Sequence, residues 1–395
     1  MTDADWTASE HEVLAAAGDC LAADRPAVLA TVTGVEGRAY RRPGAKMLVR
    51  ESGAHLGHVT ADCLEARVRR LAASVLEAGA ARVETFDLRS DESEAWGLGV
   101  GCDGVIDLLL EPVGPGLDPV TDAAAAGRPV AAVAVLDGPA AGARATYLPA
   151  GDSSSHPADD SSGTPTGAPS SDGEPGGEWH VGPDFPRDLV DELTATAATF
   201  AVEGQSDTRV VDGTTVFVDG VAPPPTLLVV GTGHDLAPVV SVADTAGFSV
   251  TVVGYRGAQA RAERFPAADA VRSTSPRSLR EAVDLDGDTY AVVATHNLVD
   301  DRLTVEALLD SPVPYVGVLG PRERFAELLS ASDRTLSAAD RERVYAPVGL
   351  DIGGGTPGQI ALSVVSEIQA VRAGRDPGHL SERDGPIHDR PDRRR

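Results

Sequence analysis

Lysine is almost missing from this sequence. Lys46 is the single lysine among 34 basic residues, which face 60 acidic ones and leave a formal net charge of −26 over 395 residues. The acids are spread along the whole chain, a surface suited to a high-salt cytoplasm, and such a charge repels a phosphate backbone, so nucleic acid is excluded as a partner. The closing Arg393-Arg394-Arg395 reads as a frayed terminus. Cysteine is scarce too. Cys20, Cys63 and Cys102 make an odd set without C-x-x-C spacing, which excludes a disulfide framework and a structural zinc site. No apolar run approaches the roughly 18 residues of a membrane span, and the acidic start at Met1–Trp6 lacks a basic and apolar leader pattern, so the expectation is a cytoplasmic chain with no membrane contact. There is no zinc-ligand constellation, Ser-His-Asp pattern, P-loop or internal repeat, and neither catalytic residues nor metal ligands are assigned.

What is present suits two compact domains and some unstructured chain, with 42% hydrophobic residues available for cores. Residues 10–150 form a first block, with helical spacing over 11–23 and 63–78 and apolar strands over 27–33 and 104–110. Residues 151–178 are an acidic Ser/Gly/Pro insertion that cannot offset its ordering entropy and is expected to be disordered. Residues 179–225 are read as a connecting segment ending in the stiff Val221-Ala-Pro-Pro-Pro225 run. From 226 to 375 strands and helices alternate, with strands over 226–230, 248–253, 291–295 and 315–319. That rhythm predicts an α/β fold, a C-terminal Rossmann-like doubly wound parallel sheet preceded by a smaller mixed α/β domain. Residues 376–395 read as a disordered polar tail.

The chemistry gathers on loops. Gly231-Thr-Gly233-His234-Asp-Leu236 follows a predicted strand and precedes a predicted helix, the setting in which glycines let backbone N–H groups approach a pyrophosphate. The same run would serve equally as a tight βα turn with no ligand. About twenty residues on, where a dinucleotide site keeps an acid for the ribose, Gly254-Tyr-Arg256 stands instead. His296 follows the strand ending at Ala294, at the carboxyl edge where open sheets bind ligands, although a loop-capping histidine would look the same. Gly317 and Gly320 with Arg322 follow another strand, and Gly353 and Thr356 precede the apolar helix 359–371, so several glycine-rich edges could converge on one anion-binding cleft. In the first block, Cys63 stands at a helix start and Cys102 among glycines; both are candidate reactive thiols, against the commoner role of a small buried apolar residue.

The order of these segments resembles the XdhC/CoxI family of xanthine and CO dehydrogenase accessory proteins. Gly37-Arg-Ala-Tyr-Arg41-Arg-Pro-Gly44, Gly57-His58, Cys63-Leu-Glu65 and Gly101-Cys102-Asp-Gly104 look like its N-terminal domain. Gly231-Thr-Gly-His234, Thr295-His296, Asp300, Tyr315-Val-Gly-Val-Leu-Gly320 and Pro347-Val-Gly-Leu-Asp-Ile-Gly353 resemble its Rossmann domain. The resemblance implies a non-enzymatic chaperone that binds molybdenum cofactor (molybdopterin) as cargo, protects it during sulfuration and delivers it to a molybdenum hydroxylase apo-enzyme. A cysteine desulfurase and a second copy of the chain are implied partners. Cys63, Cys102, Gly231, Gly233, His234, His296, Gly317, Gly320, Arg322, Gly353 and Thr356 are the implied cofactor-binding residues. The chain departs from the family pattern at Ala61-Asp62 before the first cysteine, at Gly254, and at Gly358-Gln359 after Thr-Pro. The competing readings are an NAD(P)-dependent oxidoreductase using the same turn, with a bound nucleotide, and a scaffold whose domains only bind partners.

The charge alone generates a test. Screening shortens the Debye length from roughly 10 Å at 0.1 M salt to about 3 Å at 1 M and relieves self-repulsion on an acidic surface. The thermal midpoint of the chain should therefore climb from low to molar KCl; a midpoint that stays flat or falls contradicts this.

Overall fold

A computed structural model describes residues 4–5, 8–37, 41–60, 64–88, 104–150, 176–332 and 334–384. The chain divides into two compact units, residues 1–223 and 224–395. In the first, the short strand β1 (Ala4–Asp5) precedes helix α1 (Glu10–Ala22). Ser9 and Glu12 close a capping box at the helix start, and Val13, Leu14, Ala17 and Cys20 form its buried stripe. Strands β2 (Ala27–Gly37), β3 (Lys46–Arg50) and β4 (His55–Gly57), helix α2 (Glu65–Ala78), and strands β5 (Arg82–Asp87) and β6 (Gly104–Pro112) follow. They build a six-stranded sheet ordered β1-β4-β3-β2-β6-β5, antiparallel except where β1 meets β4. Helix α2 lays Val68, Ala72 and Val75 on Val28, Met47, Phe86 and Leu108.

Helix α3 (Asp118–Ala125) leads to β7 (Val130–Val135), β8 (Arg144–Pro149), β9 (Gly177–Val181), α4 (Leu189–Glu203), β10 (Ser206–Val211) and β11 (Thr214–Val221). These strands form an antiparallel sheet ordered β10-β11-β7-β8-β9, covered by Leu193, Ala197 and Phe200 of α4. This corrects the expectation of a connector over 179–225: its strands flank β7 and β8, which would otherwise present unpaired edges. Gly177 and Glu178, assigned by sequence to the insertion, already belong to β9; residues 151–175 lie outside the described residues, as do 385–395 of the tail.

Polar links tie the two sheets of this unit together. The Lys46 ammonium on β3 pairs with Asp219 on β11 at 2.7 Å and also donates to the Gly44 carbonyl at 2.8 Å. Arg144 on β8 pairs with Glu111 on β6, and the Thr208 hydroxyl donates to the Thr33 carbonyl at 2.7 Å. Burial pushes the Glu111 carboxyl above the usual carboxylate range, with Arg144 opposing the shift. The one lysine of the chain is therefore a core residue, 3% exposed.

The second unit alternates β12 (Thr226–Val230), α5 (Ala237–Thr245), β13 (Ser249–Gly254), β14 (Ala270–Ser273), α6 (Leu279–Ala282), β15 (Thr289–Val293), α7 (Leu298–Leu309), β16 (Tyr315–Val318), α8 (Arg322–Ser330), α9 (Ala338–Glu342), β17 (Val344–Tyr345) and α10 (Pro357–Arg372). All strand pairs are parallel in the order β14-β13-β12-β15-β16-β17, so the chain reverses its direction of travel between β12 and β15. Helices α5 and α10 cover one face through Val239, Val240, Val364 and Ile368; α7 and α8 cover the other through Val305, Leu308 and Leu328. The doubly wound expectation holds in this unit. Among the described residues no helix is long and apolar enough to cross a membrane.

Removing one member of the Lys46–Asp219 pair leaves a buried charge without its partner, which typically costs about 3–5 kcal/mol, whereas replacing both with apolar residues is often neutral. Lys46→Met should destabilise the chain strongly in urea denaturation, and Lys46→Met with Asp219→Leu should regain most of the loss. Equal loss in the single and double variants would contradict this account.

Candidate functional site at the carboxyl edge of the parallel sheet

An open parallel sheet offers its ligand crevice where the strand order reverses, here beyond the ends of β12 and β15. Gly231 leaves β12 with φ 146°, and a Cβ there would strike the Ala294 carbonyl, so only glycine lets the two strand ends approach. Its N–H donates to the Val253 carbonyl at 2.9 Å. Gly233 caps a single tight turn over His234–Leu236 that runs into α5. Leu236, at the place of the fingerprint's third glycine, is 1% exposed and fills the core below. His234 is exposed, while the carboxylate of Asp235 folds back beside Gly233.

The turn after β15 faces it. His296 has φ 59°, a left-handed conformation that a residue with a Cβ keeps only when its surroundings impose it. They do so through Asp301. This carboxylate, 1% exposed, accepts from the Thr295 N–H at 3.0 Å and hydroxyl at 2.6 Å, and from Arg324 of α8 at 2.6 Å. Asn297 caps α7 by accepting from the N–H groups of Val299 and Asp300. The His296 Nε2 consequently lies 3.6 Å from Asp235 Oδ2.

The position that would anchor a ribose is closed. A Cβ at Gly254 would lie 2.6 Å from the Thr232 methyl and 2.9 Å from that of Ala260, and the Thr232 hydroxyl reaches Gln259 Oε1 at 3.1 Å. Arg256 turns to Asp300, 2.8 Å away. The Tyr255 hydroxyl meets Thr304 at 2.7 Å, and burial pushes its pKa up to about 12, so it stays protonated at neutral pH.

The remaining sequence candidates divide. Gly320, with φ 135°, begins the turn into α8, where Arg324 reaches Asp301; Arg322 is exposed beside it. Gly317 lies inside β16, where a Cβ would meet Val348 at 2.5 Å and Tyr315 at 3.0 Å, so its requirement is packing. Gly353 is exposed, with φ 75° and nothing near its missing side chain. Thr356 caps α10, and Gln359 Oε1 accepts from the N–H groups of Gly355 and Thr356, so donors expected to hold an anion are already used. The loop is fixed to the sheet by Glu367, which accepts from the Tyr315 hydroxyl at 2.6 Å and the Gly349 N–H at 2.9 Å. Burial first, then Glu367, raises the Tyr315 hydroxyl far above its usual range.

Cys63 and Cys102 lie outside the described residues. Beside the former, buried Glu65 accepts from the Thr60 N–H and hydroxyl and from the Leu64 N–H. Cys20 is a buried core residue of α1. Among the described residues no group of three or more His, Cys, Asp or Glu could hold a metal ion. Sequence reasoning missed Asp235, Asp301 and Arg324 and named Thr295 only within a resembling motif; Asp235 stood inside the glycine turn and Asp301 beside a helix cap, and both were overlooked in favour of neighbouring glycine and histidine.

Comparison with known proteins places these elements in a family. Residues 227–368 match the model of the XdhC Rossmann domain, and residues 10–87 match that of the XdhC and CoxI family. The chain is 29% identical over 350 residues to a probable xanthine dehydrogenase subunit from Bacillus subtilis (strain 168), covering 88% of this chain and 93% of that one. It is 30% identical over 160 residues to the uncharacterized protein YqeB of Escherichia coli (strain K12), covering 40% of this chain and 29% of the relative. A crystal structure of a Bacillus halodurans protein described as a xanthine dehydrogenase superposes with a TM-score of 0.70 at 29% identity, over 93% of this chain and 97% of that one. With both of its domains matched and a solved relative of the same architecture, the chain belongs to the XdhC and CoxI family.

Proposed function

We propose that this chain is a cytoplasmic maturation factor: it binds molybdenum cofactor as cargo, shields it while its terminal sulfur is installed, and hands it to the apo-form of a xanthine- or CO-dehydrogenase-like molybdenum hydroxylase. The observation that carries this reading is a ligand edge of dinucleotide-binding type whose ribose position is filled by Thr232 and Ala260 around Gly254. A nicotinamide nucleotide loses its main anchor there. A pterin needs no such anchor, and the groups present suit one: His234 and His296, the Asp235 carboxylate and the open turn at Gly353 offer hydrogen-bonding partners without a charge-matched phosphate clamp.

Cys63 and Cys102 are the thiols assigned to the molybdenum or its terminal sulfur, as soft ligands suited to that chemistry. The partners proposed are the hydroxylase apo-enzyme, a cysteine desulfurase as sulfur source, and a second copy of the chain. No hydride transfer is expected of the protein itself. Tyr255 and Tyr315 stay protonated at neutral pH, so neither supplies a base.

The test is the metal content of the client. In cells lacking this chain, the molybdenum hydroxylase should accumulate with most of its cofactor missing, and expression of the chain should restore both cofactor and hydroxylase activity. Cys63→Ser and Cys102→Ser should restore poorly although they fold, and Cys20→Ser should lower stability at most. A hydroxylase fully loaded without the chain, or substrate-dependent reduction of NAD or NADP by the pure protein, contradicts the proposal.

A further inference from the structure

We propose that the glycine turn at Gly231–Gly233 receives the hydrogen-bond-donor edge of a pterin ring, its N3–H and 2-amino group, with Asp235 as the acceptor, and does not hold a phosphate. This rests on the reading that the edge of the second unit carries a pterin cofactor, and it decides which end of that cofactor lies at the turn.

Three features of the turn separate it from a phosphate cradle. The Gly231 N–H, which a pyrophosphate would require, is already given to the Val253 carbonyl. The Asp235 carboxylate stands beside Gly233, where a Cβ would run into its Oδ1 and come within 3.2 Å of His296 Nε2. Two like charges at about 4 Å repel by roughly 1 kcal/mol in water and about 4 kcal/mol near a protein surface, so this carboxylate opposes the anion that the glycines alone would invite.

The carboxylate is also free to act. Asp300 is held by Arg256 and Asp301 by Arg324 and Thr295, whereas Asp235 makes no hydrogen bond among the described residues, where the basic group beside it is the His296 Nε2 at 3.6 Å. Its side chain is 39% exposed. Two oxygens in one plane match two parallel N–H donors, the geometry that makes bidentate carboxylate pairs strong and specific. A pterin presents such a pair at N3 and the 2-amino group; a phosphate presents only acceptors.

His296 is the positioning residue. Its left-handed backbone costs about 1–3 kcal/mol, a cost that glycine would avoid at this position. The imidazole retained there places Nε2 3.6 Å from Asp235 Oδ2, beside the carboxylate at the mouth of the turn.

Fluorescence titration of the full chain with 6-hydroxymethylpterin, which has no phosphate, and with inorganic pyrophosphate as competitor tests the assignment. The parent should bind the pterin saturably, and pyrophosphate should not displace it. Asp235→Asn, which keeps one acceptor but loses the charge and the second, should weaken the pterin by about tenfold or more. His296→Asn, whose residue tolerates the left-handed backbone, should weaken the pterin while the thermal midpoint holds or rises. Displacement by pyrophosphate, an unchanged affinity in Asp235→Asn, or His296→Asn that loses stability but keeps the pterin would overturn the assignment. If Asp235→Asn keeps its affinity for intact molybdenum cofactor, this orientation fails while the carrier function stands; if the parent binds neither pterin nor cofactor, the carrier function fails with it.

Discussion

The carboxylate of Asp301 sets the geometry of the candidate site. It sits 1% exposed at the start of α7 and gathers the Thr295 backbone and hydroxyl with the guanidinium of Arg324. A buried carboxylate is tolerable only when hydrogen-bonded and paired, so these partners cannot be released singly without leaving an uncompensated charge. Because Thr295 precedes His296 and Arg324 belongs to α8, one side chain fixes the turns after β15 and β16 together. The left-handed backbone of His296, and through it the approach of its imidazole to Asp235, follows from that constraint.

The first unit uses the same physics for a different end. Lys46–Asp219 and Arg144–Glu111 join two sheets whose facing sides are mostly apolar, and each pair joins one residue from either sheet. A compact ammonium suits the space near Gly44, whose own Cβ would lie 2.6 Å from the Ser206 hydroxyl oxygen. In a chain that uses arginine everywhere else, the retained lysine thus has a steric and electrostatic reason. Its burial also separates it from the surface charge balance, which the exposed acids dominate.

Much of the fold was legible because its signals are local. The strand over 226–230 and the glycine turn after it stand where alternation and glycine placement put them, since a parallel strand buried on both faces must be continuously apolar. The segment 179–225, whose patterning was visible, was misread as a connector because its place in the sheet rests on pairing between strands distant in sequence, β11 with β7 and β9 with β8, which no local pattern records. At the site, Gly231 and His296 were visible from their place after apolar strands. Asp301 and Arg324 were not, because their roles depend on contact between residues 23 positions apart, which no local pattern records. The departure at Gln359 was visible in the sequence, but its consequence was not: its side chain occupies the Gly355 and Thr356 N–H groups ahead of α10 that an anion would have used.

Carriage of molybdenum cofactor is the claim on which the rest depends. The direct measurement is an anaerobic titration of the folded full chain with free molybdenum cofactor, followed by pterin fluorescence after oxidation and by molybdenum content of the recovered protein. Saturable binding that approaches one cofactor per chain, with no nicotinamide nucleotide recovered, is the result predicted. Folded protein that shows no saturable uptake of the cofactor would contradict the account.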